Sequence, residues 1–317
     1  MNLLLTGANG FIGSHLLEHL ISLDDLNVLI LKREIIDSNI NTINTINVDL
    51  LSDFDLYDVL RLQDVVIHVA AMANANALDD STELFKMNVD STLRLAEQSA
   101  LAGVKRFIFI SSIKVNGEFT AMHKAFDIDV SKIPENPYGL SKYLAEKGLR
   151  KIASEYGLDV VMIRPPLVYG PGVKANFGSL MNLVSKGIPL PFGCINHNKR
   201  SLVSITNLID LIVTCIDHPK AANQVFLVSD NHDISTSEIV REMAKALDKP
   251  TWQLPIPIWC YTLVGKLFDK SDVVDRLNCS LQVDISHTKE TLGWKPPQTL
   301  QQGFKQTAQA FLQAKTK

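Results

Sequence analysis

The chain has 317 residues, of which 46% are hydrophobic and 21% charged, with a formal net charge of −3. That length suffices for one large or two medium cores, and the absence of a basic block argues against nucleic acid as a partner. Cys194, Cys215, Cys260 and Cys279 are scattered without a C-x-x-C pair, which argues against a disulfide frame or a metal site and for reduced thiols in the cytoplasm.

Residues 2–6 read as a buried strand, too short and uncharged to be a signal peptide. Gly7-Ala8-Asn9-Gly10-Phe11-Ile12-Gly13 follows at once. A helix is expected over residues 14–23 and a second strand over 28–31. Strand, glycine turn, helix and strand in that order define a dinucleotide site: the glycines permit a tight turn and close approach of a pyrophosphate, and the helix N-terminus attracts the phosphates. The second strand ends in Leu31-Lys32-Arg33-Glu34. A carboxylate at its tip would bind a ribose hydroxyl, whereas cations accommodate a 2′-phosphate. Lys32 and Arg33 therefore point to NADP, with NAD as the alternative should Glu34 fold back onto the ribose.

A connecting segment, residues 38–47, leads to a short strand ending Val48-Asp49-Leu50. Residues 65–71 form another buried strand, ending in the small Ala70 and Ala71. Helical spacing covers residues 82–102, and a fifth strand spans 106–110 before Ser111-Ser112. Such alternation implies a doubly wound parallel sheet. Ser112 would sit at the carboxyl end of a central strand, where a hydroxyl can meet a substrate oxygen.

Asn136-Pro137 reads as a helix start and Gly157 as its stop. Tyr138 and Lys142, four apart, then share one face. The ammonium and the helix N-terminus both favour the phenolate, so a Tyr138 pKa below the usual value of about 10 is expected. The apolar run at residues 252–268 is broken by Pro255 and Pro257 and is short for a membrane span; it reads as a core strand or a loop feeding a helix.

Together these motifs resemble the extended short-chain dehydrogenase/reductase family, in its nucleotide-sugar epimerase/dehydratase branch. The resemblance extends through His68-Val69-Ala70-Ala71, Asn88-Val89-Asp90, Val115-Asn116-Gly117, Arg164-Pro165-Pro166, Tyr169-Gly170-Pro171-Gly172 and Leu292-Gly293-Trp294-Lys295-Pro296. It implies a Rossmann-type α/β fold with a smaller, interleaved C-terminal substrate-binding domain. Residues 1–170, joined by about 200–230, would hold the dinucleotide, and residues 171–199 and 231–317 the substrate.

The resemblance further implies a catalytic triad of Ser112, Tyr138 and Lys142. Its cofactor contacts would be Gly7, Asn9, Gly10, Phe11, Ile12, Gly13, Lys32, Arg33, Asp49, Leu50, Ala70, Ala71, Asn88, Tyr138, Lys142 and Pro165. Substrate contacts would be Ser112, Asn176, Arg200 and Arg276, with the arginines suited to a diphosphate. Ile113-Lys114 stands where the branch's dehydratases carry Asp-Glu, so elimination is not expected. The favoured expectation is NADPH-dependent reduction of a UDP-4-keto-6-deoxy-N-acetylhexosamine. The alternatives are a UDP-hexose 4-epimerase with bound NAD and a catalytically silent binding protein. A homodimer through a four-helix bundle of residues 82–102 and 137–156 is also implied.

Overall fold

The computed structural model describes residues 1–33, 44–73, 78–267 and 271–315. Glu34, the NAD alternative's carboxylate, lies outside the described residues.

Seven parallel strands form the main sheet: β1 (Asn2–Thr6), β2 (Asn27–Lys32), β3 (Asn44–Asn47), β4 (Val65–His68), β5 (Arg106–Ile110), β6 (Asp159–Arg164) and, last, the strand Val225–Leu227. The order is β3-β2-β1-β4-β5-β6 with Val225–Leu227 at the far edge. A separate parallel pair joins β7 (Leu167–Tyr169) to β8 (Leu202–Ser204), which makes the edge strand β9. Burial explains the parallel arrangement. Leu3, Leu4, Leu5, Val66, Ile67, Phe107, Ile108 and Phe109 are fully enclosed, as strands covered by helices on both faces require.

The helices before β9 are α1 (Phe11–Leu20), α2 (Tyr57–Leu60), α3 (Leu78–Phe85), α4 (Ser91–Leu101), α5 (Pro137–Tyr156), α6 (Ala175–Ser185) and α7 (Ile205–Asp217). Beyond β9 the chain is helical: α8 (Thr236–Ala246), α9 (Ile258–Leu267), α10 (Ser271–Asn278), α11 (Ser286–Leu292) and α12 (Leu300–Lys315). Of the earlier helices, α6 packs away from the sheet core, against α8. A second apolar cluster gathers Tyr169, Phe177, Met181, Met243, Leu300 and Phe304, largely from α6, α8 and α12. The short segment 280–283 ties the second cluster's side of the molecule to the loop after Ser112. It pairs with Thr120 and Phe126 on one side and Lys199 and Ser201 on the other.

Four expectations shift in detail. The first helix begins at Phe11, inside the glycine turn, so its opening N–H groups belong to the turn itself. The third strand stops at Asn47, leaving Asp49 and Leu50 in the loop beyond it. The single helix expected over 82–102 is three pieces, with a π-helical turn Lys86–Asp90 between α3 and α4. The apolar run 252–268 does feed a helix, but Trp252, Trp259, Leu263 and Leu267 are exposed instead of entering a core. Among the described residues no helix is long and apolar enough to cross a membrane.

Candidate active site

The glycine turn sits where the strand order reverses: β1 has β2 on one side and β4 on the other. In open α/β sheets this crevice, outside the strands' carboxyl ends, receives the ligand. Here it is a cleft of about 630 Å³, walled by the glycine turn, Leu31–Arg33, Val48–Leu51, Val69–Ala73 and Met87.

Two glycines are obligatory. Gly7 has φ +75°, and a Cβ on it would stand 2.5 Å from the Ala70 nitrogen. On Gly13 a Cβ would stand 2.1 Å from the Gly7 carbonyl oxygen, which already accepts from the Gly10 N–H at 3.0 Å. No side chain caps α1, whose N-cap is Gly10. A glycine cradle against an uncapped helix start is what a pyrophosphate requires. The residues present therefore fit a dinucleotide. Asn9, Phe11, Ile12, Lys32, Arg33, Asp49, Leu50, Ala70 and Ala71 line the same cleft. Neither Lys32 nor Arg33 has an ion-pair partner among the described residues.

Asn88 does not line this cleft. Its amide is spent within the protein: Oδ1 accepts from the Met72 N–H at 2.8 Å, and Nδ2 donates to the Met72 carbonyl at 2.8 Å and to the Ser141 hydroxyl at 3.0 Å. Asn88, expected at the cofactor, here braces the cleft wall against α5. The π-helical turn is where this fully buried side chain leaves the helical run. Pro165 is likewise buried, and its carbonyl accepts from the Ile113 N–H at 3.0 Å, pinning the turn that follows Ser112.

Asn136 caps α5 by accepting from the Tyr138 and Gly139 N–H groups at 3.1 and 3.2 Å, with Pro137 in the first turn and Gly157 closing the helix at φ 73°. Gly139 lets α5 approach the turn after β5, since a Cβ there would stand 2.6 Å from the Lys114 carbonyl oxygen. The approach brings the Tyr138 side chain within reach of the Ser112 hydroxyl, with Lys142 one turn further along α5. Lys142 is fully buried; its Nζ donates to the Ile110 carbonyl at 2.9 Å and lies 4.4 Å from the centre of the Phe109 ring.

The electrostatics reverse one expectation. Burial pushes the Tyr138 phenol up to about 12, and the hydrogen bond from Ser112 offsets only part of that. Burial also pulls Lys142 down to about 7, against the pull of the Glu146 carboxylate. A nearby cation and a helix end favour the phenolate, but desolvation of both groups outweighs them.

Glu146, which the sequence reading passed over, is joined to Arg164 by a buried ion pair of 2.6 Å, and the Ser111 hydroxyl donates to its other oxygen at 2.6 Å. Its spacing of four from Lys142 on a helix was the available signal. On the second lobe, Arg200 donates to the backbone carbonyls of Arg276 and Cys279 at 2.7 and 3.3 Å. This places the two candidate substrate arginines side by side, Arg200 half-buried and Arg276 exposed. Asn176 lies in the first turn of α6; its side chain is outside the described residues.

A dinucleotide cradle and a Ser-Tyr-Lys group on a doubly wound sheet define a nicotinamide-dependent enzyme. The chain belongs to the NAD dependent epimerase/dehydratase family, whose model matches residues 3–229, and thereby to the extended short-chain dehydrogenase/reductases. It is 60% identical over 319 residues to a Vibrio cholerae protein described as UDP-glucose 4-epimerase, covering 99% of this chain and 96% of that one. The fold is similar to that of Bacillus cereus UDP-glucuronic acid 4-epimerase in complex with NAD, at TM-score 0.80 and 23% identity over 99% of each chain. It is also similar to Thermotoga maritima UDP-glucose 4-epimerase with UDP-glucose, at TM-score 0.75 and 23% identity over 99% of each chain. These likenesses overturn the favoured expectation of 4-keto-sugar reduction: the 60% relative, matched over nearly its whole length, is described as an epimerase.

Proposed function

We propose that this protein is a UDP-hexose 4-epimerase acting on UDP-glucose and UDP-galactose with a retained NAD. The observation that carries this reading is the meeting of Ser112, Tyr138 and buried Lys142 at the end of β5, next to the strand that leads into the dinucleotide cleft. The 60% identity to the Vibrio cholerae protein supports the substrate, and the NAD of the solved neighbour supports the cofactor. An epimerase returns its hydride to the sugar it came from, so it gains nothing from a 2′-phosphate grip that eases exchange. Lys32 and Arg33 then border the cleft as surface cations.

NAD, when bound, supplies a hydride acceptor and a positive charge. Gly7, Gly10 and Gly13 would hold its pyrophosphate at the start of α1, and Asp49, Ala70 and Ala71 would border it. Tyr138 takes the proton from the sugar C4 hydroxyl and later gives it back, with Ser112 hydrogen-bonded to the same oxygen. Burial favours the protonated Tyr138 phenol at neutral pH. Lys142 would hold the nicotinamide ribose.

Residues 171–199 and 231–317, with Arg200 at their edge, would form the nucleotide-sugar side, and Arg200, Arg276 and Asn176 would be its diphosphate contacts. A homodimer through α4 and α5 is part of the reading, since Leu101, Leu144 and Tyr156 expose apolar surface there; a monomer mass by light scattering would remove that part. Cytoplasmic residence fits its free cysteines. Tyr138→Phe tests the chemistry. It keeps the dinucleotide and loses on the order of 10²–10⁴ in turnover; near wild-type turnover would refute the assignment.

A further inference from the structure

Beneath the triad lies a buried ion pair, Glu146 with Arg164, that the proposed chemistry does not use. Both residues, like Lys142, are no more than 2% exposed. Glu146 accepts from Arg164 at both oxygens, Nε to Oε1 at 2.9 Å and Nη2 to Oε2 at 2.6 Å, a bidentate fork. Its Oε1 also accepts from Ser111, the residue before Ser112. Arg164 Nη1 reaches Asn116 at 3.0 Å and the Ile128 carbonyl at 2.9 Å, and Asn116 in turn donates to the Asp127 and Asp129 carbonyls. One carboxylate thus joins β6, the end of β5 and the helix that carries Tyr138 and Lys142.

We infer that Glu146 is a positioning residue of the triad: bonded to Ser111 and to Arg164 from the helix that carries Tyr138 and Lys142, it fixes Ser112 against that helix. The inference rests on the triad reading above. A buried pair is weak evidence for stability, because similar-sized apolar residues often do as well; the hold of this one on Ser111, the neighbour of Ser112, gives it a different role. Glu146 also raises the Lys142 pKa, and the other charged groups nearby do not replace it. His68 on β4 is driven to its neutral form, partly by Lys142 itself. Tyr138 stays protonated, and Arg164 is neutralised by its fork. Lys86 and Asp90 beside α5 are exposed, and Lys114 is paired with Glu118.

The sign follows. Glu146 raises the Lys142 pKa, so its removal lowers it, and activity that needs the ammonium fails at lower pH. The experiment is the pH profile of kcat for UDP-galactose conversion, with cofactor content measured, in Glu146→Gln, Glu146→Asp and the double variant Glu146→Gln/Arg164→Met. The double variant strands no buried charge and guards against misfolding of the single one. The expected result is an alkaline limb moved down by about one pH unit in Glu146→Gln, the lower end for a neighbouring charge, and by less in the double variant, which removes the Arg164 charge as well. Glu146→Asp, which keeps the charge, restores the limb. A kcat loss of about tenfold or more accompanies the shift, with KM changed far less. Lower melting temperature with an unmoved limb in every variant would overturn the inference. An active Tyr138→Phe would instead overturn the triad reading on which it rests.

Discussion

His68 provides a test of the buried core that needs no substrate. Its ring is fully enclosed between β1 and α4: Nδ1 meets the Thr6 hydroxyl at 2.8 Å and Nε2 the Thr92 hydroxyl at 2.9 Å, with Phe109 stacked at 6.0 Å. Burial, with a smaller contribution from Lys142, pulls its pKa down from 6.5 to about 3. Between those values the unfolded chain binds a proton that the folded chain refuses. The stability is therefore whole above pH 6.5 and falls as the solution is acidified toward the folded value. Each pH unit removes about 1.4 kcal/mol, so acidification from pH 6.5 to about 4 costs about 3 kcal/mol. That is a large part of a typical total of about 5–15 kcal/mol. Asp230, whose carboxyl burial raises, works in the opposite direction, so a comparison is needed. Urea midpoints should be followed from neutral to about pH 4 in the wild type and in His68→Gln, which carries no titrating ring. The variant should start less stable, because it loses ring packing, yet fall less steeply with acid. Equal slopes would refute the claim that His68 is buried neutral.

Two further outcomes are expected. In Gly13→Ala the new methyl would press on a backbone oxygen that cannot swing away, so the protein should retain dinucleotide at least about tenfold less tightly, a change of about 1.4 kcal/mol; undiminished retention after gel filtration would contradict the cradle. Replacing Arg200 with Met should raise KM for the nucleotide sugar by about tenfold or more, as loss of a charged contact worth about 1.5–3 kcal/mol implies, while kcat changes little. An unchanged KM in a protein of normal melting temperature would remove Arg200 from the substrate site.

The sheet was legible because its strands are continuous apolar runs punctuated by Gly7, by Asn136-Pro137 and by Gly157, and each signal has a local physical cause. The dinucleotide cradle was legible for the same reason: two backbone approaches allow only glycine. What escaped was whatever depends on distant partners. The bracing by Asn88 was hidden because its partners, Met72 and Ser141, are 16 and 53 residues away. The Tyr138 shift escaped because the sequence shows the neighbouring cation and hides the burial that outweighs it. Lys32-Arg33 misdirected the choice of reaction, since two cations at a strand end accommodate a phosphate without requiring one. Trp259, Leu263 and Leu267 have core composition but lie on an exposed helix, a placement that only the packing of α9 reveals.

The most direct measurement mixes the purified protein, with no coenzyme added, with UDP-galactose and follows the sugar by NMR while nicotinamide absorbance is recorded. The account predicts conversion to UDP-glucose up to equilibrium, no net absorbance change, and NAD released on denaturation. Absence of interconversion, with stoichiometric consumption of an added reduced coenzyme by a 4-keto nucleotide sugar, would contradict it.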